Sequence, residues 1–132
     1  MSGYDPALVD AFLEHHWRYR PVDATFMGNR DHDYRLPPVG PGVLAEELAV
    51  NRALHARIAA TPEPFAVGDR LDRRMMLAEL EVQAAAIAAR SRLSNPAWLS
   101  GEAAFGVISL LLPQSAPVRS DALRARLAAI PA

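Results

Sequence analysis

The chain has 132 residues, a length that fits one domain, here a single helical segment over 1–132. Hydrophobic residues make up 51%, charged residues 22% and the formal net charge is -1, which excludes a disordered polyelectrolyte and argues against gripping nucleic acid or an anionic membrane. Cysteine is absent and all 14 basic residues are Arg, so disulfides, thiol catalysis and zinc ribbons are excluded.

The opening Met1-Ser2-Gly3-Tyr4-Asp5-Pro6 lacks the basic start and apolar core of a secretory signal. Asp5-Pro6 is instead a helix start, a capping carboxylate followed by Pro at the first helical position. Leu8, Phe12, Leu13, His16, Trp17 and Tyr19 follow at helical spacing until Pro21. A short helical piece, Val22 to Met27, ends at Gly28, whose freedom at positive φ suits a left-handed cap. The Pro- and Gly-rich stretch Asn29 to Gly42, which holds Asp31-His32-Asp33, reads as a loop.

A second long helix is expected from Val43 to Ala60, with Val43, Leu44, Leu48, Val50, Leu54 and Ile58 on one side. Glu47, Asn51 and His55 border that side at spacings of four, as a solvated rim or, on a sharper reading, a polar stripe facing a cavity. A third helix is expected from Gly68-Asp69 to just before Asn95-Pro96, with two apolar stripes. Leu71, Met75, Val82, Ala86, Ala89 and Leu93 form one, and Met76, Leu77, Leu80, Ala84, Ile87 and Ala88 the other. Two narrow polar columns, Asp72/Glu79/Gln83/Arg90 and Arg74/Glu81/Arg92, separate them. Such a helix is patterned to be sandwiched.

The fourth helix, Ser100 to Leu112, is apolar except for Ser100, Glu102 and Ser109 and is expected to lie in the middle of other elements. Gly101 and Gly106 each weaken it by about 1 kcal/mol relative to Ala, which points to close approach by a neighbour. After Pro117 a fifth helix places Leu123, Leu127 and Ile130 inside and Arg119, Arg124 and Arg126 outside. No alternating β-branched run occurs. The charge-free stretch Ala103 to Val118 is broken by Pro113 and Pro117 and falls short of the roughly 20 residues that span a bilayer. The expected fold is all-α, about five helices in an irregular bundle, in a cytoplasmic protein without membrane or nucleic-acid partners.

Asp31-His32-Asp33 and His15-His16 are the only dense groups of metal-ligating residue types. Adjacent His residues on a helix point about 100° apart, and the loop spacing fits neither a calcium loop nor a zinc finger. Capping and turn formation by the two Asp residues, with Arg30 and Arg35 as ion partners, is the favoured reading over metal binding. Glu102 is the only charge from Ser94 to Val118, so its carboxylate must be paired, hydrated or coordinated; Arg partners and a cavity-facing role both remain open. There is no His-Glu-x-x-His, no Gly-x-Ser-x-Gly, no phosphate loop and no dinucleotide fingerprint.

Two stretches resemble a known family. Phe12 to Gly28, running into Asp31-His32-Asp33-Tyr34-Arg35-Leu36-Pro37, is similar to the opening of the bacterial domain of unknown function 885 family. Asn95-Pro96-Ala97-Trp98-Leu99-Ser100-Gly101-Glu102-Ala103-Ala104-Phe105-Gly106 is similar to a later segment of the same N-terminal region, and Leu127-Ala128-Ala129-Ile130-Pro131 also matches. Members are longer, mostly helical and look like zinc metallopeptidases whose metal motif lies C-terminal to this region. The resemblance therefore implies an N-terminal fragment of a larger cleft-forming domain in a peptidase-like hydrolase acting on a peptide-like substrate. It implies zinc for the full-length parent and no cofactor, metal ligand or catalytic residue in this chain. The matched Trp98, Gly101, Glu102, Asp31, His32 and Asp33 are candidates for a cleft-facing or structural role. The implied partner is the remaining C-terminal part of the parent, or a second copy. The alternative is a small helical interaction module that dimerises or docks on a partner; a small metal-dependent hydrolase using His15, Asp31, His32 and Asp33 is disfavoured.

Overall fold

The computed structural model describes residues 5–130; the start Met1–Tyr4 and Pro131 of the last matched run lie outside it. The fold is all-α. Among the described residues seven α-helices follow in order: α1 Pro6–Tyr19, α2 Pro21–Phe26, α3 Val43–Ala59, α4 Val67–Ala88, α5 Ser91–Ser94, α6 Pro96–Leu111 and α7 Ser120–Ala129. Short 3-10 turns lie at Arg30–His32 and Pro113–Ser115, and no strand occurs among the described residues. No described helix is long and apolar enough to cross a membrane.

Packing divides the chain into two units. One comprises the chain up to His15 together with Gly40–Ser91; the other comprises His16–Val39 and Arg92–Ala132. In the first unit the apolar stripes of α1, α3 and α4 meet. Leu8 and Phe12 pack with Leu54 and Ile58 and with Met76 and Leu80, flanked by Val9, Ala11, Leu13 and Leu77. Each such side chain contributes about 2 kcal/mol by leaving water. Val50, expected on the packed side of α3, is exposed.

Glu47 and Asn51 are buried, so they are no solvated rim. Asn51 Nδ2 donates to the Leu80 carbonyl at 3.1 Å and to Gln83 Oε1 at 3.4 Å, and Gln83 Nε2 donates to Glu79 at 2.8 Å. The spacing that made Asn51 look like part of a border places it on the α4 side of α3, where polar partners meet it. His55 lies at the edge of this line and meets Glu81 at 3.2 Å. Arg73 closes the end of α3, donating to the carbonyls of Ala59 at 3.0 Å and Thr61 at 3.3 Å, where helix C-terminal carbonyls lack internal partners.

Only one of the two apolar stripes of α4 is covered. Met76, Leu80 and Ile87 are buried, whereas Leu71, Met75 and Val82 are 60%, 59% and 64% exposed. Helix α4 also ends earlier than its pattern suggests. Arg90 adopts φ 51°, its N–H donating to the Ile87 carbonyl at 3.0 Å, while the Ser91 hydroxyl donates to Ala86 at 3.2 Å. Asn95 then starts a new helix. Its side chain accepts the Ala97 N–H at 3.1 Å, with Pro96 at the first position, so α6 begins four residues before Ser100.

In the second unit α2 and α7 pack on α6. The α2 terminus bears out the expectation for Gly28. At φ 85° Gly28 donates to the Thr25 carbonyl and Asn29 donates to that of Ala24, the paired bonds of a Schellman cap. Helix α6 is not enclosed: Gly106, Ser109 and Leu110 are buried, but Leu99, Phe105, Ile108 and Leu111 are exposed.

Candidate functional site

The centre of the second unit is a buried Arg. Arg126, expected on the outside of its helix, is fully enclosed, while Leu127, expected inside, is half exposed. Its position follows from spacing: Ala122, Arg126 and Ile130 lie four residues apart on one face, and Ala122 is also fully buried. The guanidinium donates to the carbonyls of Gly106 at 2.6 Å, Arg35 at 2.9 Å, His32 at 3.2 Å and Pro21 at 3.4 Å. It also donates to the hydroxyls of Thr25 at 2.7 Å and Ser109 at 3.0 Å. One side chain thereby joins α2, the segment after it, α6 and α7. Burial alone lowers its pKa, and the nearby Asp33 carboxylate opposes that shift.

Asp33 is the second buried charge. It accepts the Thr25 hydroxyl at 2.9 Å and Arg30 Nε at 2.9 Å, and Arg119 lies 3.7 Å away. Thr25 therefore bridges Arg126 to Asp33. Arg30 also donates to the Pro117 carbonyl at 3.2 Å, and Arg119 to the Arg30 carbonyl at 3.2 Å. Asp31 points elsewhere: it is exposed, and its N–H donates to Asn29 Oδ1 at 3.0 Å in an Asx turn. His32 is buried, with its Nδ1 against the Arg35 guanidinium and its ring 6.0 Å from that of Trp17. The three loop residues thus face three different partner sets. Among the described residues no three of His, Cys, Asp and Glu gather where they could hold one metal ion, so these residues do not fit a zinc site.

Glu102, Trp98 and the Leu36-Pro37 segment do come together. They line a cavity of about 290 Å³ with Val39, Leu99, Ser100, Ala103, Ala129 and Ile130. The Arg126 bonds to the His32 and Arg35 carbonyls hold the segment that supplies Leu36 and Pro37. Gly106 lets that segment approach: a Cβ there would lie 2.4 Å from Leu36 Cδ2. Gly101 has no such role, since nothing lies within 4 Å of a Cβ built on it.

The walls of the cavity are mostly hydrocarbon, and among the described residues Glu102 brings the one carboxylate into it. Burial, followed by repulsion from Asp23, raises the Glu102 carboxyl above the usual carboxylate range, against the attraction of Arg92 and Arg20. Its carboxylate makes no hydrogen bond or ion pair with a described residue. The Arg92 guanidinium lies 5.2 Å from the Trp98 ring centroid, a cation–π contact that fixes one side of the indole. Of the residues singled out by sequence, Glu102 and Trp98 share a site, whereas Gly101 and the Asp31-His32-Asp33 loop do not contribute side chains to it. Sequence reasoning missed Leu36, Pro37 and Arg126. No protein-family model matches the chain, and neither a curated protein nor a solved structure matches it.

Proposed function

We propose that this chain is the N-terminal helical portion of a zinc-dependent, peptidase-like hydrolase, catalytically incomplete by itself and forming a wall or lid of the substrate cleft. The observation that carries the docking half of this reading is the uncovered apolar stripe of α4, where Leu71, Met75 and Val82 face solvent at 59–64% exposure. An apolar stripe of this length along one helix is ordinarily an interface. The metal, its ligands and the general base belong to the C-terminal part, as does bond cleavage in a peptide-like substrate. The resemblance over Phe12–Pro37 and Asn95–Gly106 supplies the identity of that part.

Expression of the chain alone and with the continuation of its reading frame tests the proposal. The longer product is expected to bind zinc and cleave peptides, and the chain alone to do neither. A longer product without zinc or peptidase activity overturns it. The second reading is a dimerising interaction module, favoured by the further exposed apolar residues Phe105, Ile108 and Leu111 on α6. Sedimentation equilibrium of the chain alone distinguishes it, because that reading requires a stable dimer.

A further inference from the structure

The cavity beside Trp98 lies wholly within the second unit and stands independently of the peptidase reading. At about 290 Å³ it is roughly twice the cavity of about 150 Å³ that accepts benzene in an engineered protein core. Volume of that order suits a ligand with one ring or a short branched chain. Seven apolar residues, Leu36, Pro37, Val39, Leu99, Ala103, Ala129 and Ile130, form its sides, and it opens to solvent past Val39 and Leu99, which are exposed.

Its polar content is narrower than its shape. Ser100 is committed by its hydroxyl bond to the Ala97 carbonyl at 3.2 Å. Among the described lining residues the Glu102 carboxylate is the charged group open to a guest. The contrast with Asp33 in the same unit is informative, because Asp33 is surrounded by Thr25, Arg30 and Arg119 and has no further need of a cation. Glu102 makes no such bonds, although Arg92 and Arg20 are close enough to act on it electrostatically. Trp98 adds an aromatic face beside that carboxylate, suited to an aromatic ring or the methylenes next to a cationic head.

We infer that the cavity lined by Trp98, Leu36 and Glu102 is a binding site for a small organic amine, an ammonium head on an apolar body, with Glu102 receiving the ammonium. The head group replaces the hydration that the carboxylate loses in this setting, and the body fills the hydrocarbon walls. Burial raises the Glu102 carboxyl, and a cation held beside it would act in the opposite direction.

Isothermal titration calorimetry with three probes of one shape tests the inference: 2-phenylethylamine, 2-phenylethanol and 3-phenylpropanoate. The amine is expected to bind at least about tenfold more tightly than the alcohol, and the carboxylate more weakly than both. Glu102→Gln, an isosteric change in a half-buried position, is expected to remove the preference of amine over alcohol. Ala103→Leu, which adds bulk to the wall, is expected to weaken both without changing their ratio. Far-UV circular dichroism establishes that each variant is folded. Absence of amine binding, equal affinity for amine and alcohol, or an undiminished preference in Glu102→Gln would each overturn the assignment.

Discussion

Replacing Arg126 with Met removes the guanidinium and keeps a long apolar stem in its channel. Six acceptors then lose a donor, but unequally. The His32 carbonyl still receives the Arg35 N–H at 3.1 Å and the Gly106 carbonyl the Ser109 hydroxyl at 3.2 Å, whereas the Pro21 carbonyl, 3.2 Å from the Thr25 hydroxyl, competes for that one proton with Asp33 at 2.9 Å. The Arg35 carbonyl has no such substitute among the described bonds, and the Thr25 and Ser109 hydroxyls lose their incoming donor. Bonds from a charged donor contribute about 1.5–3 kcal/mol each, and an orphaned buried acceptor costs about 1–3 kcal/mol. Release of the guanidinium from its buried position offsets part of this, leaving a net loss of about 3–5 kcal/mol, the range for breaking a buried charged network. Urea denaturation followed by far-UV circular dichroism measures it. Arg126→Lys, with three donors on one nitrogen, should fall between wild type and Met. Arg124→Met, exposed on the same helix, should change stability by less than about 0.5 kcal/mol. An Arg126→Met loss as small as that of Arg124→Met would refute the claim that this side chain organises the second unit.

Arg90→Gly should stabilise the chain by about 1 kcal/mol in the same assay, because Arg90 holds φ 51° and Gly adopts that region without a Cβ penalty. Gly101→Ala, into open space within a helix, should gain about 0.5–1 kcal/mol, while Gly106→Ala should fall short of that gain because Leu36 must move. Thermal melts of the two Ala variants provide the comparison, and equal gains would contradict the close approach at Gly106. Glu102→Gln should show the sign of a raised carboxyl. The folded protein holds the Glu102 proton more tightly than the unfolded chain, so stability falls as pH rises above the ordinary Glu value of about 4.3. The Gln variant should therefore be the more stable protein near neutral pH and lose that advantage below about pH 4. A Gln variant less stable than wild type near neutral pH would show that Glu102 is favourably paired.

The helices were legible because their boundaries are written in local chemistry. Asp5-Pro6 and Gly28 act where their backbone preferences dictate, and all-α follows from apolar spacing. Asn95-Pro96 is a boundary on both sides: a helix stops at Ser94, as expected, and Asn95 also caps α6, which starts ahead of the expected Ser100. The break at Arg90 had no local signal, because a non-Gly residue at positive φ is held there by its surroundings. Arg126 was misplaced for a related reason. Polarity predicts the solvent side of a helix only when no set of carbonyls waits inside, and those carbonyls come from Pro21, His32, Arg35 and Gly106. The cavity was half legible. An isolated carboxylate in an apolar run drew attention to Glu102, but Leu36 and Pro37 reach it only through long-range packing that no spacing encodes.

The proposal that the α4 stripe docks against further polypeptide can be tested directly, because the chain contains no native Cys. Val82→Cys places one thiol on the stripe, and Arg74→Cys places one on the exposed polar side of the same helix. Alkylation rates of each are compared in the purified chain and in cells expressing the whole reading frame. The account predicts that Cys at position 82 reacts as readily as Cys at position 74 in the purified chain at low concentration, and at least about tenfold more slowly in the cell. Equal reactivity of the two positions in the cell would contradict it.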